Sequence, residues 1–109
     1  MSYDIWLEIE TGDGKCLSTS GKNHTSNVTD IWELALGFQL KDLKNKKAKD
    51  CINDLQQAMI FLNDPNNKDH LESMNPPNNW GNYRSATEFL EWLLEECRSH
   101  PNCTIKMWY

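Results

Sequence analysis

Residues 3–9 read Tyr3-Asp4-Ile5-Trp6-Leu7-Glu8-Ile9, and this stretch constrains the architecture most tightly. In an extended strand, successive side chains point to opposite faces of the sheet. One face of this stretch therefore carries the apolar set Tyr3, Ile5, Leu7 and Ile9, and the other carries Asp4, Trp6 and Glu8. The pattern predicts a strand that buries one face in a core.

The same period of two returns at the end of the chain. Cys103, Ile105, Met107 and Tyr109 share one face there, and Thr104, Lys106 and Trp108 share the other. Near the N-terminus, Thr11-Gly12-Asp13-Gly14 favours a tight hairpin turn, so the residues from Lys15 to Thr19 are expected to return as a short second strand. The polar residues 20–27 are expected to form a loop.

Three amphipathic helices are predicted between these strands. The first runs from about Val28 to Leu36 and ends at Gly37 in the left-handed conformation. The second runs from about Lys46 to Leu62, with apolar residues in steps of three and four. The third continues to about Ser99, after a capping box formed by Ser85 and Glu88.

Two terminal strands and a hairpin return, each with one apolar face, need a helical layer to cover that face. We therefore predict a single α+β domain over residues 1–109, built in two layers. A small, mainly antiparallel sheet, made of the N-terminal hairpin and the C-terminal strand, is covered on one face by three helices. One or two extra helical turns are expected over Lys68–Met74. The other face of the sheet is expected to be open to water.

The composition narrows the classes of function. The net charge of −5 argues against a protein that wraps DNA, and no apolar tract is long enough to span a membrane. The acidic, strand-like start of the chain argues against a secretory signal, so a cytoplasmic location is expected. In that compartment the four cysteines are interpreted as buried thiols, whereas a secreted domain would pair them in two disulfides. They are Cys16, Cys51, Cys97 and Cys103.

The predicted open face carries a candidate partner site. Trp6 and Trp108 project from it amid charged side chains, and Trp92 lies among the glutamates of the third helix. Exposed aromatic side chains are common interface anchors. A protein partner or a homodimer is therefore expected to contact Trp6, Glu8, Lys106, Trp108 and Trp92. In the alternative interpretation, the two strand tryptophans lie flat as a cross-strand pair and Trp92 is covered by the second helix.

Two polar loops form a second candidate site. One is Asn75-Pro76-Pro77-Asn78-Asn79-Trp80-Gly81-Asn82-Tyr83, whose prolines and glycine disfavour a helix or a regular strand. The other, Asn23-His24-Thr25-Ser26-Asn27, precedes the first helix. Aromatic rings beside neutral hydrogen-bonding groups suit a nucleotide-like small ligand, bound by Asn23, His24, Thr25, Asn27, Asn78, Trp80 and Tyr83. In the alternative interpretation, the asparagines only cap and turn, and Trp80 fills the core.

The same loops resemble a known family. Asn23-His24-Thr25-Ser26-Asn27-Val28 with Trp32, followed by the Asn-Pro-Pro-Asn-x-Trp-Gly motif of residues 75–81, is similar to short phage- and prophage-associated proteins over most of the chain. The family has glycine where this chain has Asn79. The resemblance implies no catalytic residues. It implies the context of a phage accessory protein that inhibits or sequesters a host factor.

The remaining features do not favour an enzyme. Lys41, Lys44, Lys46, Lys47 and Lys49 surround the start of the second helix and predict either a solvated basic face or a site for a phosphate or an acidic partner. The three histidines, His24, His70 and His100, show no metal-ligand spacing, and no cofactor is predicted. Catalysis would need His24 to act as a base for Thr25 or Ser26, and adjacent side chains point in different directions.

We therefore expect a small, non-enzymatic, cytoplasmic binding protein. Its expected role is that of a phage-encoded inhibitor or sequestering protein that acts on a host defence or nucleic-acid-handling factor. An acidic chain favours a basic partner. The alternatives are a nucleotide-like ligand binder that uses the Trp80 loop, and an immunity protein against a basic toxin.

Overall fold

The structure, a computed structural model, describes residues 1–12, 16–78 and 80–109, with the backbone alone of Cys16. The predicted hairpin turn includes Asp13 and Gly14, the predicted second strand begins at Lys15, and the predicted Trp80 loop includes Asn79; these four residues lie outside the described part. The described residues form four strands and four helices. The strands are β1 (Ser2–Glu10), β2 (Cys16–Ser18), β3 (Lys22–Thr25) and β4 (Thr104–Trp108). The helices are α1 (Thr29–Leu36), α2 (Ala48–Asn63), α3 (Lys68–Ser73) and α4 (Tyr83–Ser99).

The strands form one antiparallel sheet with β1 at its centre. β4 pairs along one edge of β1, with Ile5 opposite Met107 and Leu7 opposite Ile105. β2 and β3 share the other edge, where β2 pairs with the end of β1 and β3 with its beginning. The predicted α+β class, with a small antiparallel sheet and helices, is confirmed, and the predicted turns over Lys68–Met74 form α3.

The core lies on the apolar side of β1, as the alternation predicts. Its largest fully buried side chain is that of Trp32, whose indole N–H donates to the Ala86 carbonyl oxygen at 3.1 Å. This bond joins α1 to α4 and satisfies the only polar atom of the ring. Two residues expected inside lie at the margin: Ile9 is 39% exposed, and Tyr109 is 51% exposed just beyond β4.

The prediction of a loop over residues 20–27 is wrong, because β3 lies within it. Lys22, Asn23 and Thr25 have no apolar alternation, so the sequence pattern gives no signal for a strand. The strand forms because its backbone pairs with β1 and because His24, opposite the buried Tyr3, points to the core side of the sheet.

The edge shared by β2 and β3 is interrupted between these two strands. The Thr19 backbone N–H donates to the Leu7 carbonyl at 2.9 Å, and the Thr19 hydroxyl accepts from the Leu7 N–H at 3.0 Å. A side chain thus replaces a backbone carbonyl in the ladder. A Cβ at Gly21 would lie 2.8 Å from the Ile5 carbonyl oxygen, so this close approach requires glycine.

The outer edge of β4 is covered by the segment 45–48. The Asn45 N–H donates to the Ile105 carbonyl, the Ile105 N–H donates to the Lys46 carbonyl, both at 2.8 Å, and Lys47 bridges Thr104. Asn45 has a φ of 69°, in the left-handed region that asparagine adopts more readily than most other residues.

The helix ends follow their capping residues. Gly37 ends α1 with a φ of 82°, as predicted. The capping box predicted for Ser85 and Glu88 is wrong. Asn82 is the N-cap of α4: its side chain accepts from the Ser85 N–H at 2.8 Å, and the Ser85 hydroxyl accepts from the Asn82 N–H at 3.0 Å. Asn82 is an equally good capping residue type, so α4 begins earlier than predicted.

Cys51, Cys97 and Cys103 are buried free thiols, as predicted for these three. Among the described residues, no group of three or more His, Cys, Asp or Glu side chains is arranged to hold a metal ion. None of the described helices combines the length and the apolar character needed to cross a lipid bilayer.

The buried thiols make stability depend on alkaline pH. Burial raises the pKa of Cys51 from 9.0 to about 11, and burial also raises the pKa of Cys97 to about 12. Above pH 9 the thiols ionise in the unfolded chain before they ionise in the folded one, so the free energy of unfolding falls as the pH rises towards 12. We expect urea titrations to show that the free energy of unfolding decreases less between pH 7 and pH 10 for Cys97→Ala than for the wild type. Equal decreases would contradict this origin of the pH dependence.

Candidate functional site

The uncovered face of the sheet brings together four of the five predicted partner-binding residues. Register places Trp6 opposite Lys106, Asp4 opposite Trp108, and Glu8 opposite Thr104. All six side chains alternate with the core residues, so they project from the same face. Trp6 is half-buried, whereas Trp108 is 71% exposed. The two indoles are diagonal neighbours and not a directly opposed cross-strand pair.

The polar groups of this face are ordered by specific bonds. The Trp6 indole N–H donates to Glu8 Oε1 at 2.8 Å, and Asn23 Nδ2 donates to Asp4 Oδ1 at 2.9 Å. Lys106 Nζ reaches outward and donates to Asn45 Oδ1 at 3.1 Å. The carboxylates are therefore held on β1, while the ammonium group of Lys106 is drawn towards the segment 45–48.

A shallow depression borders Trp6 on the side of the interrupted edge. Its volume is about 440 Å³, and it is lined in part by Trp6, Thr19, Gly21, Lys22 and Asn23. The absence of a side chain at Gly21 contributes to this depression, since a Cβ there would lie 3.3 Å from the Cβ of Trp6. The face thus offers both a projecting indole, that of Trp108, and a recess with room for a side chain of another molecule.

Trp92, the fifth predicted partner-binding residue, does not belong to this face. It lies on α4, half-buried, with its ring 5.7 Å from the ring of Phe89. Phe89 is part of the core, so Trp92 packs on the helical layer, apart from Trp6 and Trp108, and its contact with a partner stays a prediction.

The second candidate site is only partly assembled as predicted. The two loops do meet: Gly81, with a φ of 83°, approaches so closely that a Cβ there would lie 2.8 Å from Thr25 Cγ2 and 3.1 Å from Val28 Cγ1. Trp80 is 67% exposed beside this contact and does not fill the core. Asn23 is not at the loop contact, because it bonds Asp4 on the open face.

Most polar groups of the two loops bond to the chain itself. Asn78 Oδ1 accepts from the Trp80 N–H at 3.1 Å, Asn75 Oδ1 accepts from the Tyr83 N–H at 2.8 Å, and Thr25 Oγ1 accepts from the Asn27 N–H at 3.3 Å. Tyr83 is half-buried and packs against the core. The capping interpretation of the asparagines therefore describes Asn75 and Asn78, while the exposed ring of Trp80 has no such role.

His24 lies on β3, half-buried beside the core, and not in a polar loop. Its ring lies 5.2 Å from the Trp32 ring and 5.5 Å from the Phe89 ring. Nδ1 is 2.8 Å from the Thr25 carbonyl oxygen, which can only accept a hydrogen bond, so Nδ1 carries the hydrogen. Nε2 is 2.8 Å from Ser85 Oγ. In the neutral ring the Ser85 hydroxyl therefore donates to Nε2.

The pair formed by His24 and Ser85 connects β3 to the start of α4. A histidine bonded to a serine resembles a base with its nucleophile, but Ser85 Oγ also accepts from the Asn82 N–H and lies 3.0 Å from the Asn82 carbonyl. The hydroxyl is thus part of the helix cap. Sequence reasoning missed this contact because its partners are 61 positions apart.

No protein-family model, curated protein or solved structure matches this chain. The resemblance to phage-associated proteins therefore remains a prediction that rests on the two loop motifs.

The loop contact predicts unequal effects of two glycine substitutions. Gly37 and Gly81 have nearly the same positive φ, but only Gly81 has atoms within 4 Å of an added Cβ. Gly37→Ala is therefore expected to lower the free energy of unfolding by about 1 kcal/mol through backbone strain. Gly81→Ala is expected to lower it by about 3 kcal/mol, since Thr25 and Val28 must also shift. Urea denaturation followed by circular dichroism measures both, and equal losses would mean that the loop contact relaxes freely.

Proposed function

We propose that this chain is a non-enzymatic binding protein that recognises a basic protein partner through the open face of its sheet. The observation that carries the proposal is the exposure of Trp108 next to Trp6, on a face ordered by the carboxylates of Asp4 and Glu8. By covering a surface of its partner, this chain would act by occupancy, as an inhibitor, a sequestering protein or an immunity protein does.

Burial of the Trp108 indole would stabilise a complex at this face. About 150 Å² of an indole that is 71% exposed can be removed from water, which is worth on the order of 4 kcal/mol before the costs of association. Aromatic side chains that are pre-oriented in a strand lose little rotamer freedom on binding. Trp108 has the position of an interface anchor, and the recess beside Trp6 accepts a side chain from the partner.

The charges support a basic partner. Asp4 and Glu8 flank Trp6 along β1, and Glu10 continues the row. An arginine or lysine placed there can pair with a carboxylate and lie over an indole ring at the same time. The net charge of −5 also speeds the encounter with a positively charged protein. A basic nucleic-acid-handling factor or a basic toxin has this chemistry, and the loop motifs favour a phage context.

A second candidate function rests on Trp80. Its ring is 67% exposed beside the contact of the two loops, where it can stack on the base of a nucleotide. The neighbouring asparagines supply few free hydrogen-bonding groups, because Asn75 and Asn78 bond to the backbone. A nucleotide would therefore be held mainly by stacking.

Two exposed tryptophans provide a matched test of the two functions. Trp108→Ala is expected to weaken binding of a basic partner at least tenfold, because the anchor is lost. It should change the free energy of unfolding by less than about 0.5 kcal/mol. Trp80→Ala, which removes an equally exposed indole from the loop, is expected to bind as the wild type does. Partners captured from a host lysate would be purified and titrated by calorimetry against all three proteins.

The opposite pattern would support the second function. If Trp108→Ala binds normally while Trp80→Ala abolishes binding of added ATP or GTP, the loop is the site and the open face is not. If neither substitution affects any binding, both proposals are wrong.

A further inference from the structure

We propose that, without its partner, the open face pairs with the open face of a second copy of this chain. The inference rests on the proposed function insofar as it uses the same face, and it names what regulates access to that face.

The open face is divided into an acidic and a basic half. On β1 it presents Asp4 and Glu8, and on β4 it presents Lys106. Lys47 bridges Thr104 from the adjoining segment, so its side chain projects to the same side as that of Thr104. One row across the sheet therefore runs from Glu8 through Thr104 to Lys47, and in the next row Lys106 lies opposite Trp6.

Lys47 has an exposed side chain that forms no ion pair with a carboxylate of the described residues, and its charge acts on the thiol of Cys103. Lys47 also stands at the N-cap of α2 without bonding it, and the first N–H groups of α2 donate to the carbonyls of Cys103 and Pro101 instead. A lysine at the positive end of a helix dipole is unfavourable unless an anion lies nearby. Asp50 lies in the first turn of α2, and a carboxylate from a second copy would add to its compensating charge.

Two-fold symmetry makes such a face complementary to itself. An axis that runs parallel to the strands, between β1 and β4, turns the second copy so that its basic half lies over the acidic half of the first. Lys106 of each copy then lies over Trp6 of the other. Glu8 of each copy lies over Thr104 of the other, within reach of the Lys47 side chain, whose backbone is one strand spacing, about 4.8 Å, further out. Both contacts occur twice, and the indoles of Trp6 and Trp108 occupy the middle of the interface.

The size of the face sets the strength of this pairing. β1 is about 30 Å long and four adjacent chain segments are about 19 Å wide, so each copy offers on the order of 500 Å². The total of about 1,000 Å² is near the lower limit for a specific interface. We therefore expect a weak, salt-sensitive dimer, which a basic partner displaces by taking the place of the second copy's lysines.

Charge reversal in purified full-length protein tests the pairing. Sedimentation velocity over a range of concentrations should show a monomer–dimer equilibrium that weakens as salt is added. Glu8→Lys alone and Lys47→Glu alone should each weaken the dimer about tenfold or more, since each turns two attractive contacts into repulsive ones. A mixture of the two single variants should dimerise again, because both contacts between unlike copies are then attractive. Glu33→Lys, an exposed reversal on α1, is the control and should leave the equilibrium unchanged.

The outcomes separate this inference from the proposed function. A wild type that remains monomeric at its highest attainable concentration would overturn the inference, and so would single variants that dimerise normally or a mixture that stays monomeric. None of these results would contradict the proposal that a basic partner binds through Trp108. Conversely, restoration of the dimer in the mixture would stand even if no other protein ever bound the face.

Discussion

The pairing of β1 with its neighbours is the constraint on which the rest of the structure depends. β1 lies between β4 on one side and β2 and β3 on the other, and its side chains alternate between the core and the open face. A slip of one residue would therefore exchange Ile5 and Leu7 with Asp4 and Trp6. The core and the candidate interface are fixed by the same register, so selection for a buried set on one face determines which residues the other face offers to a partner.

Much of this arrangement was predictable because it follows from local patterns in the sequence. The alternation in residues 3–9 and 103–109 predicts two strands and also predicts that Trp6 and Trp108 leave the core. Gly37 ends a helix for reasons contained in a few neighbouring residues. In such cases the physical cause and its sequence signal lie within one turn or one strand.

Two of the differences from the sequence predictions have a tertiary cause. β3 is a strand because β1 offers it hydrogen-bonding groups, and the half-buried ring of His24 packs beside the rings of Trp32 and Phe89. Trp92 was expected at an interface because glutamates flank it in sequence, whereas its ring packs beside Phe89. At the start of α4 two plausible capping residues competed, and Asn82 rather than Ser85 became the N-cap. β3 and His24 contact residues that are distant in the sequence, so no local pattern predicts these contacts, whereas Phe89 and Trp92, like Asn82 and Ser85, are three positions apart.

The interrupted edge of the sheet has a consequence for how far association can proceed. β2 and β3 are three and four residues long, the chain between them deviates at Gly21, and the segment 45–48 occupies the outer side of β4. A sheet with such short or covered margins is a poor template for adding strands from other molecules. This protein can therefore leave aromatic surface uncovered without seeding a growing cross-β fibril. One opposing surface covers the open face, and no further molecule can then stack on it.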